Sequence, residues 1–250
     1  MRTLRAVPVF PAPLQGRRAP AWSETGRLAS GTAVGKDSAV DNDEYFGDPD
    51  VREQWDRRYS EQQRLWSGEP NGALVAEVAG LPPGKALDVG CGEGADAVWL
   101  ARSGWEVTAI DVSGVALERA ASHAEDAGVK VTWVHAGLGE VELPGAPYDL
   151  VSAQYPALRR SPDAKAERAL LEAVAPGGVL LFVHHAGMEE HRDDESGFDP
   201  ADYVWPSMIA ARLDDAWKVE VDERRPRNVP DVGPGSRHKD DLVLRARRLR

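Results

Sequence analysis

One cysteine in 250 residues leaves nothing for an internal disulfide framework and nothing for a zinc site built from cysteines alone. Basic charge is also short: 30 Lys and Arg stand against 41 Asp and Glu, a net charge of −11. Polyanions gain nothing from such a surface, which argues against a nucleic-acid or anionic-membrane binder. No apolar run approaches the ~18 residues of a membrane-spanning helix. No repeat period is visible, and no obvious catalytic triad stands out. What remains, 42% hydrophobic and 28% charged residues, is enough for one sizeable core. The expectation is a soluble, cytoplasmic globular protein.

The informative stretch is Ala86-Leu87-Asp88-Val89-Gly90-Cys91-Gly92-Glu93-Gly94-Ala95, an apolar run entering a turn with glycines at alternate positions. Glycine removes Cβ where a ligand must approach the backbone, and it tolerates positive φ. A helical pattern follows at once, and its first N–H groups would face whatever sits in the turn. A bare βα loop needs no more than one glycine, so the stretch reads as a nucleotide-type cofactor loop.

Around this turn the chain organises itself. Residues 1–42 are rich in Pro, Arg, Ala, Gly and Ser, lack periodicity and carry no acid before Glu24. They read as a disordered, non-catalytic tail, with a transit peptide or a misassigned start as alternatives; residues 43–250 read as the functional domain. Val51, Trp55 and Tyr59 share one helix face, and Leu74, Val75, Val78 and Ala79 share another, ended by Gly80. Strands are expected at 85–89, 105–110, 131–135, 148–153 and 179–183, with helices at 95–103, 115–127 and 164–175 between them. Repeated βα units with apolar strands give a doubly wound α/β fold whose sheet is mostly parallel. After a charged loop at 187–196 and a short helix near 206–213, strands at 217–221 and 242–246 follow without a helix between them. They read as a C-terminal antiparallel hairpin completing a seven-stranded sheet.

Gly90, Gly92 and Ala95 also satisfy the dinucleotide fingerprint, so an NAD(P)-dependent oxidoreductase is the first alternative. Asp88 two positions before the first glycine, the extra Gly94 and the closing hairpin favour another family. These residues resemble the class I S-adenosylmethionine-dependent methyltransferases, over roughly residues 44–250 and most closely at Asp88 to Gly94 and at Asp111. Trp55-Asp56-Arg57-Arg58-Tyr59 and Trp66-Ser67-Gly68-Glu69-Pro70-Asn71 look like the entry region of the small-molecule branch, with its tellurite-resistance and thiopurine methyltransferase relatives. The resemblance implies a Rossmann-like methyltransferase fold with S-adenosylmethionine as cofactor. Asp88 and the backbone at Gly90, Cys91, Gly92 and Gly94 would hold its amino-acid moiety, where a carboxylate suits an ammonium and repels a diphosphate. Asp111 would take the ribose hydroxyls, leaving Ser113 to cap the next helix, with Val112 beside it. The acid that commonly follows the third strand is missing from Ala136-Gly137-Leu138, so the adenine would be read by the backbone of Gly137 and Leu138. Trp66 would cover the mouth of the site or pack in the core, and Cys91 is a small filler.

On the acceptor side, Gln154-Tyr155-Pro156 ends the fourth strand and His184-His185 ends the fifth. Gln154 would border the cofactor, and Tyr155 and His184 are the candidate catalytic residues, His185 being an equivalent imidazole. Packing is the plainer account of each. The dense acidic run at 189–195 matches no defined metal site, so no metal is expected. The reading is methyl transfer to a small-molecule acceptor, the third possibility being a non-catalytic S-adenosylmethionine-binding regulator.

Overall fold

The computed structural model describes residues 49–192, 198–227 and 238–250. Chain contacts divide it into Met1–Val40 and Asp41–Arg250. The tail read at 1–42 lies outside the described residues, as does the end of the charged loop. Among the described residues no helix is long and apolar enough to cross a membrane.

The elements alternate as the hydrophobic periods require: α1 (Pro49–Ser60), α2 (Gly72–Val78), β1 (Lys85–Val89), α3 (Ala95–Arg102), β2 (Glu106–Asp111), α4 (Gly114–Asp126), β3 (Val131–His135) and β4 (Tyr148–Gln154). Then come α5 (Lys165–Ala173), β5 (Val174–His185), α6 (Pro206–Ala210), β6 (Trp217–Pro226) and β7 (Asp240–Arg248). The seven-stranded sheet has the order β3-β2-β1-β4-β5-β7-β6. β7 runs antiparallel to both β5 and β6, and every other pairing is parallel. This is the Rossmann-like methyltransferase fold, with the C-terminal hairpin inserted beside β5.

Strand order reverses between β1 and β4, which opens a crevice beyond their carboxyl ends. Apolar side chains fill both faces of the sheet. Leu87, Val89, Ile110, Val151, Leu170, Phe182 and Ile209 form one core, and Ala86, Leu74, Leu100, Val107, Leu150 and Leu181 form the other. Alternate residues of β1 serve opposite cores, so Asp88 projects on the same side as Ala86.

The larger differences from the sequence expectation lie in β5, β6 and β7. β5 begins at Val174, inside the helix expected at 164–175, because Tyr148 pairs with Val174 and Leu150 with Val179, and the intervening Pro176-Gly177-Gly178 bulges out. A Cβ on Gly178 would lie 2.8 Å from the Tyr148 carbonyl oxygen, so the pairing needs glycine there. β6 and β7 are longer than their apolar runs, because their charged residues pair with one another rather than alternate with apolar ones. Glu220 bridges Arg245 and Arg247, and Glu77 of α2 receives Arg225 and Arg245.

Candidate functional site

β1 delivers the chain into the glycine turn at the switch point. The Gly90 and Cys91 N–H groups both donate to the Ile110 carbonyl, at 2.8 and 3.2 Å, which ties the turn to the end of β2. Two glycines are required by close approach. Gly92 has φ +53°, and a Cβ there would lie 2.8 Å from the Tyr59 hydroxyl. Gly94 has φ +82°, and its Cβ would lie 2.8 Å from Cβ of Ala120 in α4. A left-handed alanine costs about 1–2 kcal/mol before any overlap is counted. Gly94→Ala is therefore expected to lose at least about 2 kcal/mol, read as a lowered urea midpoint with an unchanged slope.

Three carboxylates surround the turn. Asp88 is 2% exposed, and its Oδ2 is buried without a hydrogen-bond partner. Burial, followed by repulsion from Asp96 and Asp111, holds its carboxyl well above the usual carboxylate range. Asp96 accepts the Asn71 backbone N–H and side-chain amide, both at 2.7 Å, which fastens the start of α2 to α3. Burial raises the Asp96 carboxyl as well, with the Asn71 hydrogen bonds opposing. Asp111 accepts the Gly92 N–H at 2.8 Å on one oxygen and the Ser113 N–H at 2.9 Å on the other. Ser113 caps α4 by accepting the Ala116 N–H at 3.1 Å. Burial raises the Asp111 carboxyl against the backbone donors of Ser113 and Gly92. Burial likewise pushes up the Cys91 thiol, with Asp111 and Asp88 adding to it, so Cys91 is a poor nucleophile.

The residue that closes this region is one that sequence reasoning missed. Glu93, buried within the turn, accepts the Leu65 and Trp66 backbone N–H groups and pairs with Arg119 at 2.8 Å. Arg119 also donates to the Tyr59 and Gln62 carbonyls, at 2.6 and 2.7 Å. Together they draw the end of α1 and the following loop over the glycines. Trp66 is 38% exposed and donates its indole N–H to the Tyr59 hydroxyl at 3.0 Å. The indole also comes within 3.5 Å of the point a Gly92 Cβ would occupy. Trp66 is thus a cover over the turn rather than a core residue. α1 is held across the mouth by Asp56, which accepts from the Ser113 hydroxyl, and by an ion pair between Arg52 and Glu140.

At the end of β3, Leu138 is buried and the Gly137 N–H donates to Glu140 Oε2 at 2.8 Å. Glu140 thus brings a carboxylate to this strand end, and its Oε1 stays buried without a partner. The Val112 carbonyl accepts from His135 Nε2 at 2.9 Å. Gln154 donates its amide to Ser152 at 3.0 Å, and its Oε1 is also buried without a partner.

Tyr155 sits just past β4 in the left-handed region, φ 51°. Its hydroxyl donates to Asp241 Oδ2 at 2.9 Å, and burial raises it far above the ordinary phenol range. Tyr155 therefore keeps its proton at neutral pH. His184 is 7% exposed, lies 4.1 Å from the Trp205 ring, and accepts the His185 backbone N–H through Nδ1. Burial pushes its imidazole down to about 3. His184 is therefore neutral at neutral pH. Its neighbour His185 lies instead between Tyr155 and His238. Among the described residues no group of His, Cys, Asp or Glu converges to hold a metal ion.

Residues 86–178 match the family described as a methyltransferase domain. Over this stretch the chain is similar to methyltransferase domains. An uncharacterized methyltransferase of Mycobacterium tuberculosis is 37% identical over 112 residues, 44% of this chain and 55% of that protein. The ubiquinone biosynthesis O-methyltransferase of Escherichia coli is 35% identical over 113 residues, 44% of this chain and 47% of that one. The chain thus spans about half the length of the curated relatives it matches. The N-methyltransferase NodS of Bradyrhizobium japonicum, solved with S-adenosylhomocysteine, shares the fold. That match has a TM-score of 0.60 at 18% identity and covers 80% of this chain and 99% of NodS.

Proposed function

We propose that this methyltransferase domain transfers a methyl group from S-adenosylmethionine to a small-molecule acceptor. The observation that carries the reading is a glycine cradle lying between Asp88 and Asp111, flanked by buried acceptor oxygens with no donor to satisfy them. Asp88 Oδ2 and Gln154 Oε1 end adjacent strands and call for a cationic, hydrogen-rich group, which the ammonium of an adenosyl amino acid supplies. Three carboxylates at the same turn repel a diphosphate, which disfavours the nicotinamide alternative.

In this reading Asp88 and the Gly90–Gly94 backbone hold the amino-acid end, and Asp111 uses its remaining lone pairs for the ribose hydroxyls. Leu138 and Val112 line the adenine, and Glu140 Oε1 takes a proton donor on the base edge. Trp66 and Tyr59 exclude water from above. The cofactor supplies a sulfonium methyl whose leaving group is already activated. The protein contributes alignment, and such positioning is worth several kcal/mol.

Calorimetry with S-adenosylhomocysteine and with NADH tests this directly; binding of NADH alone would sink it. Asp111→Ala should weaken S-adenosylhomocysteine binding by about 1–3 kcal/mol, roughly 5- to 150-fold. An unchanged affinity would remove Asp111 from the site. Tight donor binding without transfer to any of a panel of thiol, hydroxyl, amine and metalloid acceptors would favour a regulatory, non-catalytic role. The acidic surface and the relatives named for small-molecule biosynthesis support a small acceptor over a nucleic acid.

A further inference from the structure

We propose that His185 is the proton-accepting residue for a hydroxyl-bearing methyl acceptor, with Asp241 as its positioning residue. The inference rests on the methyltransferase reading and adds the acceptor class and the base.

Placement comes first. His185 ends β5 directly opposite Asp241 on β7. Tyr155 joins this group from β4, its N–H donating to the Val183 carbonyl at 2.8 Å. The next residue, Pro156, lies 3.8 Å from where a Gly90 Cβ would stand. Pro156, next in the chain to Tyr155, therefore adjoins the glycine turn, and β4 and β5 end on the carboxyl side of the sheet, where an open α/β fold binds its substrate.

The His185 ring is stacked on Tyr155 at 4.1 Å and on His238 at 4.2 Å, so both faces are covered and only its edges can act. One edge presents Nδ1 to Asp241 Oδ1 at 3.6 Å, and both atoms are buried without a hydrogen bond. The two face each other across a gap slightly too long for a hydrogen bond, and a small contraction would add that bond to the Arg227 ion pair Oδ1 already makes. Asp241 is held for that role. Its other oxygen receives the Tyr155 hydroxyl, and Arg227 Nε lies 3.1 Å from Oδ1. A carboxylate at Nδ1 selects the Nδ1–H tautomer, which leaves the lone pair on Nε2. Nε2 takes part in no hydrogen bond among the described residues.

The groups facing this ring are Asp241, Arg227, Tyr155, His184 and His238. Burial lowers the imidazole below its ordinary value, Arg227 adds to that, and Asp241 opposes both. His185 is then neutral at neutral pH and able to accept a proton. In the step, the acceptor's O–H bond breaks and its proton passes to Nε2. The electron pair stays on oxygen as the nucleophile, and Asp241 balances the imidazolium until water takes the proton. The acceptor class follows from need. A thiol ionises near pH 8.5 and needs a base least, and an amine, with a pKa of about 10.4, arrives as a cation that Arg227 beside the ring disfavours, but a phenol or alcohol arrives neutral and holds its proton at neutral pH.

The test uses the full chain with nitrogen-15-labelled histidines. At pH 7, the His185 resonances should show Nδ1–H and an unprotonated Nε2, and Asp241→Asn should raise the Nε2–H fraction. Conversion of S-adenosylmethionine is followed with catechol, ethylamine and 2-mercaptoethanol as probes. With catechol, His185→Gln should lower kcat/KM at pH 7 by roughly 10²-fold or more while S-adenosylhomocysteine affinity stays within about twofold. Asp241→Asn should shift the acidic limb of the pH profile to lower pH, which a purely structural role does not do. An Nε2–H tautomer in the unaltered chain overturns the proposal, whatever turns over. So does methylation of amine or thiol but not catechol, or a fully active His185→Gln. Failure of the unaltered chain to bind S-adenosylhomocysteine overturns the underlying function instead; retained binding with the wrong tautomer overturns only this inference.

Discussion

Asp88→Asn is expected to make the donor-free protein more stable at pH 7 and to cripple donor binding at the same time. Asp88 is buried, its Oδ2 has no partner, and Asp96 and Asp111 oppose its ionisation. In the unfolded chain the same carboxyl ionises near pH 4. The folded state therefore binds more protons than the unfolded state once the pH exceeds that value. The sign follows: stability falls as pH rises from about 4 toward the raised folded value, and the deficit persists above it. Removing the charge should recover about 1–3 kcal/mol at pH 7, read as a rise of roughly 2–4 °C in Tm per kcal/mol. The loss appears on binding. An ammonium seated against an ionised Asp88 makes a charged hydrogen bond that an amide cannot match, so S-adenosylhomocysteine affinity should drop roughly 10- to 100-fold. Calorimetry of the unaltered protein in two buffers of different ionisation enthalpy should show proton release on binding, absent in Asp88→Asn. A variant that is less stable than the parent yet binds equally well would refute both halves.

Glu93→Ala should produce the largest loss of stability. Its carboxylate is buried, pairs with Arg119 and receives two backbone N–H groups from the loop bearing Trp66. Removing it strands a guanidinium and two donors at once, a change worth about 3–5 kcal/mol for a buried pair. Urea denaturation should show that loss. Indole emission should report a more exposed Trp66, and donor affinity should fall because the cover no longer closes over the turn. Glu93→Gln keeps the acceptor for the backbone groups and should recover part of both. A loss under about 1 kcal/mol for Glu93→Ala would mean that other contacts hold the loop.

Much of this was readable before any coordinates. Runs bounded by turns placed β1 and β3 to the residue, β1 because four of its five residues are buried and β3, an edge strand, because β-branched and aromatic residues mark it. The boundaries that slipped, at β5 through β7, are those where bulging glycines or cross-strand ion pairs replace hydrophobic alternation. Asp88, Asp111 and the three glycines were legible because each sits at a fixed offset from a strand end. Glu93 and Glu140 were not. Their partners lie 27 and 88 residues away in the chain, at Trp66 and Arg52, and no local pattern encodes such pairings.

The acceptor side divides in the same way. Sequence alone determined that Tyr155, His184 and His185 would emerge at the ends of the fourth and fifth strands, since strand length and the two-residue period fix that much. It singled out His184 of two histidines that are adjacent and chemically identical. The tertiary structure gives them different surroundings, His184 against Trp205 and His185 opposite Asp241, a residue brought in only when β7 pairs antiparallel with β5. The donor end of the site is written in local backbone requirements; the acceptor end depends on which distant strand comes to lie beside it.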